Sequence, residues 1–157
     1  MKKIRWLILS GLACLLLALG IWTVVKSETN NEPIDPAKRV VVYKSPTCGC
    51  CGNYIKYLED AGYHVDTVKI DDMSEIKQKY GIPENMESCH TAIFGDYVVE
   101  GHIPLEVVEK MLVDKPDIKG IALPDMPAGS PGMPGTKVEP FTIYSLTATG
   151  TEIFGEY

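Results

Sequence analysis

Thr47-Cys48-Gly49-Cys50-Cys51-Gly52 places three thiols within four residues, and Cys89-His90 adds a fourth thiol and an imidazole from a separate stretch. A thiolate attacks disulfides and binds soft metal ions, so this set of side chains points to redox or metal chemistry. Cys48 and Cys51 stand at i, i+3 and share one face of a helical turn, whereas Cys50 lies about 100° from Cys51 around an ideal helix. Two of the three thiols can form the cross-link of a C-x-x-C pair, which leaves one over. A disulfide between the adjacent Cys50 and Cys51 would be strained, so the cluster suits a metal ion better than a fully oxidised state. The plain alternative is a structural disulfide with a spare cysteine.

Softer donors lie farther along the chain. Met126 and Met133 sit in Asp125-Met126-Pro127 and Pro131-Gly132-Met133-Pro134. Thioethers join thiolates around Cu(I) but rarely bind Zn²⁺, although a loop methionine serves equally well as a packing plug. His102 follows Gly101 just ahead of a helix, where ligation, capping or a surface position are all open.

Elements with definite periodicities must hold these residues. Arg39-Val40-Val41-Val42-Tyr43 is a β-branched run that reads as a buried strand, and Tyr54, Ile55, Leu58 and Ala61 then recur at helical spacing up to Gly62. The first three thiols therefore fall at a helix N-terminus, where unsatisfied N–H groups and the macrodipole favour a thiolate. His64 to Ile70 reads as a second strand, parallel to the first because a helix links them, and is not assigned a ligand. Asp71 or Asp72 caps a short helix from Ser74 to Tyr80, stopped by Gly81. Thr91 to Phe94 and Tyr97 to Glu100 form a hairpin, and Pro104 opens a helix that buries Leu105, Val108, Met111 and Leu112. Pro116 to Pro140 holds six prolines and four glycines in 25 residues, too punctuated for a helix or a central strand. A terminal hairpin of Phe141 to Leu146 and Thr151 to Phe154 follows.

The order β-α-β-α-β-β-α is that of thioredoxin-like domains, in which a C-x-x-C commonly follows the first strand. In such folds a cis-proline normally precedes the third strand and faces that motif. Here Cys89-His90-Thr91 stands in its place, so the register predicts that a fourth thiol and an imidazole lie against the first three. Loss of that proline weakens an oxidoreductase reading by analogy and strengthens a metal one.

Ahead of this domain, residues 1–26 begin Met1-Lys2-Lys3-Ile4-Arg5 and continue with twenty uncharged residues from Trp6 to Val25. That length crosses a bilayer as a helix, and the positive-inside rule sends everything after Lys26 to the far side. A secretory signal cleaved after Ala18-Leu19-Gly20 is the rival, and both readings export the domain. Cys14 lies within the apolar run and is expected to face lipid. Residues 27–38 are polar and proline-punctuated, a linker to the domain at 39–157. Residues 27–157 carry 11 basic and 21 acidic side chains, a net charge of −10, which makes nucleic acid a poor partner.

Four motifs in order resemble one bacterial family: Lys44-Ser45-Pro46-Thr47-Cys48-Gly49-Cys50-Cys51-Gly52, Cys89-His90-Thr91-Ala92, Val99-Glu100-Gly101-His102-Ile103-Pro104, and Met126-Pro127-Ala128-Gly129-Ser130-Pro131-Gly132-Met133. The resemblance covers residues 40 to 135 and is to the thioredoxin-like copper-resistance family, the CopG-type proteins. It implies a periplasmic protein of copper tolerance whose reduced cysteines gather Cu(I), with an alternative disulfide state. Matched motif by motif, Cys48, Cys50, Cys51 and Cys89 are the implied metal ligands. His90, His102, Met126 and Met133 are secondary candidates. Copper ions and other periplasmic copper-handling proteins are the implied partners, with the membrane engaged through the N-terminal segment.

The competing function is a thiol–disulfide oxidoreductase, with Cys48 attacking and Cys51 resolving. A four-cysteine iron–sulfur carrier fits by count but not by an exported setting, and an adhesion module stapled by a disulfide needs no free thiol. Arsenate reduction lacks a partner arginine near Cys48.

Overall fold

The computed structural model describes residues 35–157, so the expected membrane segment, the cysteine within it and most of the linker lie outside the described residues. The linker's last residues, Pro36–Lys38, form a 3-10 turn whose cap, Asp35, accepts the Ala37 N–H at 2.9 Å.

Seven strands form one mixed sheet in the order β2-β1-β3-β4-β5-β6-β7. They are β1 Arg39–Lys44, β2 His64–Lys69, β3 His90–Phe94, β4 Tyr97–Glu100, β5 Gly120–Ala122, β6 Thr142–Leu146 and β7 Thr151–Glu156. Three helices connect them: α1 Gly49–Asp60, α2 Ser74–Tyr80 and α3 Leu105–Asp114. β1 and β2 are parallel, β1, β3 and β4 successively antiparallel, and the terminal hairpin β6–β7 is antiparallel. This reproduces the order expected from the sequence, with one addition.

The addition is β5. Gly120–Ala122 pairs in parallel with β4 and antiparallel with β6, so it is a central strand inside the segment expected to hold none. Local composition argues against a strand there, but its three residues are all buried, and burial between two partners overrides local preference. Gly120 is the residue the site demands: a Cβ at that position would stand 1.9 Å from the Val98 carbonyl oxygen.

Strand alternation sorts the core onto two faces. Val40, Val42, Ala92, Phe94, Val99 and Ile121 turn one way and pack with Tyr54 and Leu58 of α1 and Val107, Val108 and Met111 of α3. Val98, Ala122 and Leu146 turn the other way with Ile82 and Met86, on the side where Lys77 of α2 reaches Thr91 and Glu100. The first face carries the functional site, because α1 lies on it.

α1 ends as its sequence requires. Gly62, with φ +85°, takes the left-handed conformation beyond the helix, and its N–H bonds to the Glu59 carbonyl at 2.9 Å. Ile55 is half-buried and Ala61 exposed, so the inward stripe narrows to Cys51, Tyr54 and Leu58. α2 begins with the Ser74 N–H bonded to the Asp72 carboxylate at 2.9 Å and ends on left-handed Gly81.

Candidate metal centre

Register brings the two cysteine stretches together. Lys44, the last residue of β1, pairs with His90, the first residue of β3. Cys48 follows that rung through a short turn and Cys89 precedes it directly, so both stretches emerge at the same end of the sheet. Cys48 is the N-cap of α1, its sulfur accepting the Cys51 N–H at 3.4 Å.

Cys48 and Cys51 are joined as a disulfide with Cα atoms 5.5 Å apart, while Cys50 and Cys89 are free. Cys48 Sγ lies 3.3 Å from Cys50 Sγ, Cys51 Sγ 3.4 Å from Cys89 Sγ, and Cys50 Sγ 3.8 Å from Cys89 Sγ. All four sulfurs fall within 4.8 Å of one another, close enough to serve one metal ion or a small cluster when the disulfide is open. Cys51 is fully buried and the other three are half-buried, so the cluster is open on one side. The expected meeting of residue 89 with residues 48 to 51 is what the structure shows.

Both histidines of the second half join it. His102 Nε2 is 3.0 Å and His90 Nδ1 3.4 Å from Cys89 Sγ. His102 Nδ1 lies 2.7 Å from the Pro131 carbonyl oxygen, which can only accept, so Nδ1 carries the proton and Nε2 turns its lone pair on the sulfur. Burial lowers the basicity of His102, partly opposed by that carbonyl. His90 is held well below the ordinary imidazole range, first by burial and then by the charges of His102, Lys77 and Lys44. Neutral imidazoles are the form that ligates a metal. Burial, with Cys50 adding to it, pushes the Cys89 thiol up to about 12, so without metal Cys89 is a protonated thiol. Two buried polar atoms, His90 Nε2 and Ser88 Oγ, have no hydrogen-bond partner among the described residues. Once the Cys48–Cys51 disulfide is reduced, four soft sulfurs with neutral imidazole nitrogens fit Cu(I).

The proline-rich segment closes over this end of α1. The Asn53 side chain donates to the Gly132 carbonyl at 3.2 Å, and a Cβ on Gly132 would come 2.7 Å from the Tyr54 backbone nitrogen. Close backbone contact with α1 thus places Pro131 on His102. Met133 follows Gly132 and is half-buried, whereas Met126 is exposed at an outer turn where Asp125 and Met126 both have positive φ. His64 is on β2, 3.5 Å from the Asp66 carboxylate, and takes no part.

Sequence reasoning passed over Lys77, Thr91 and Glu100, which form a buried polar group behind the sheet. A glutamate at the end of an apolar strand was the available signal.

A family model described as "Protein of unknown function, DUF411" matches residues 86–133, and a glutaredoxin model matches residues 40–82. Two solved structures, titled "Copper resistance protein copG" Form 1 and Form 2, share 38% identity with the chain. They superpose with TM-scores of 0.69 and 0.70, covering 76% of this chain and 96% and 97% of theirs. The chain belongs to the CopG copper resistance family. Its sheet is accordingly of the glutaredoxin and thioredoxin class. No curated protein matches the chain. Where thioredoxin-like enzymes carry a cis-proline, this member of the CopG family has His90, and every peptide bond among the described residues is trans.

Proposed function

We propose that this protein is an exported Cu(I)-binding component of copper tolerance, which gathers copper on Cys48, Cys50, Cys51 and Cys89 to sequester it, pass it on or cycle its oxidation state. The observation that carries the reading is the convergence of four sulfurs and His102 Nε2 at one end of α1. The kinship with copper resistance proteins supports the choice of metal. His102 and His90 are the nitrogen donors beside Cys89, and Met133 is the thioether on the enclosing loop.

The disulfide is the oxidised, low-affinity state. Opening it takes two electrons from an external dithiol or other reductant, and two protons when both sulfurs emerge as thiols. Copper brought to the reduced site replaces the thiol protons, so binding releases protons. An N-terminal anchor with the domain on the far side of the membrane completes the reading, with copper-handling proteins of that compartment as donors or acceptors.

Anaerobic titration of the reduced full chain with Cu(I) against a competing chelator tests this. Strong binding is expected, lost in the Cys48→Ser/Cys51→Ser variant; a wild-type chain unable to compete with a moderate Cu(I) chelator would end the reading. A second reading rests on the Cys48–Cys51 disulfide itself: a thiol–disulfide oxidoreductase. Metal-free turnover of a protein disulfide, abolished by Cys48→Ser, would favour it.

A further inference from the structure

Glu100 and Lys77 form an ion pair that is almost wholly buried, on the face of the sheet opposite the sulfurs; burial raises the Glu100 carboxyl, and Lys77 opposes that shift. Removing two charges from water is costly and is retained only where their hydrogen bonds are satisfied. Here they are. Glu100 Oε1 accepts from Lys77 Nζ and, at 2.6 Å, from the Ser88 backbone N–H. Glu100 Oε2 accepts from Thr91 Oγ1 at 2.8 Å, and Lys77 Nζ also donates to Thr91 Oγ1 at 3.0 Å.

The residues held by this carboxylate bracket the site. Ser88 directly precedes Cys89, Thr91 directly follows His90, and Glu100 itself stands two residues before His102. Glu100 and Thr91 are opposed across β3 and β4, and the Gly101 N–H bonds to the His90 carbonyl at 3.2 Å. One carboxylate therefore ties both ends of the Cys89-His90 dipeptide to the strand that delivers His102. Nothing else among the described residues accepts the Ser88 N–H.

We infer that Glu100, held by Lys77, is the positioning residue of the metal centre: it sets where Cys89, His90 and His102 stand relative to the three cysteines of α1. This rests on the copper reading above. Residues that orient ligands from behind typically govern metal affinity by 10–100-fold.

Three variants of the full chain separate this role from a purely structural one. Glu100→Gln leaves the Lys77 charge without its counterion. Glu100→Leu/Lys77→Met removes both charges together with the anchor on Ser88, and apolar replacement of a buried ion pair commonly preserves stability. Thr91→Val keeps the ion pair and the anchor on Ser88 and deletes the two hydrogen bonds of the Thr91 hydroxyl, to Glu100 Oε2 and from Lys77 Nζ. Cu(I) affinity is read by chelator competition, the number of sulfurs around copper by X-ray absorption, and metal-free stability by urea unfolding.

Glu100→Gln should bind Cu(I) about 10–100-fold more weakly, with the sulfur count reduced toward that of Cys89→Ser. The double variant should recover wild-type unfolding and still bind copper weakly with the reduced count. Thr91→Val should show a smaller loss in the same direction. Copper affinity and sulfur count that return to wild type whenever stability does would overturn the inference. If both Glu100 variants fail to fold, wild-type copper binding by Thr91→Val overturns it instead. A wild-type chain that holds no Cu(I) defeats the copper reading, whereas variants that match a copper-binding wild type defeat only the anchoring role.

Discussion

At the residue scale, the site is a contest between burial and ligand chemistry. A cysteine at a helix N-terminus should be a thiolate, yet Cys89, which joins from the neighbouring strand, is driven the other way by desolvation. His90 shows the same effect in a base. Because the folded state keeps His90 neutral far below its ordinary pKa, the unfolded chain takes up a proton below about pH 6.5 that the folded chain refuses. Stability is therefore lost as pH falls. The disulfide form without metal should lose stability from this group as pH falls below about 6.5. Urea unfolding at several pH values checks it, with His90→Asn expected to show a shallower slope. An unchanged slope would mean that His90 titrates alike in both states.

At the element scale, the proline-rich segment acts as a strap. Its composition reads as an unstructured connection, but Ser130, Pro131 and Gly132 follow the first turn of α1 closely enough that only glycine fits at 132. Gly132→Ala meets two penalties, a left-handed φ of +82° and backbone atoms of Asn53 and Tyr54 in the way of the new methyl. Together these should lower stability by about 1–3 kcal/mol. The Pro131 carbonyl would also withdraw from His102, so copper should leave for a chelator faster than from wild type. Stopped-flow transfer measurements report this. Equal transfer rates would show that the strap does not hold the histidine. The helix termini behave more simply, since Gly62 and Gly81 end α1 and α2 through local backbone preference alone.

At the scale of the whole molecule, β5 joins the terminal hairpin to the four-stranded core, and its geometry turns on one glycine. Gly120→Ala should cost more than about 3 kcal/mol, because the methyl meets strand backbone that cannot move without breaking the β4 pairing. Denaturant unfolding reads the loss, and a near-neutral result would mean that β5 tolerates being displaced from β4. Export is tested on the full chain in intact cells: a membrane-impermeant thiol reagent should label the reduced domain, and the protein should fractionate with membranes. Labelling only after lysis would place the domain on the inner side. How much of this was legible in the sequence follows from the range of each interaction. Periodicity, caps and cysteine spacing act within a few residues, so the order of elements, the C-x-x-C turn and its place after β1 could be read directly, and motif order carried the expectation that Cys89 and His90 face that turn. The pairing of Lys44 with His90, the strand at Gly120–Ala122, the choice of Pro131 as the partner of His102 and the buried ion pair of Lys77 with Glu100 depend on contacts between distant stretches. Those contacts are decided by packing and desolvation in three dimensions, which no local pattern encodes.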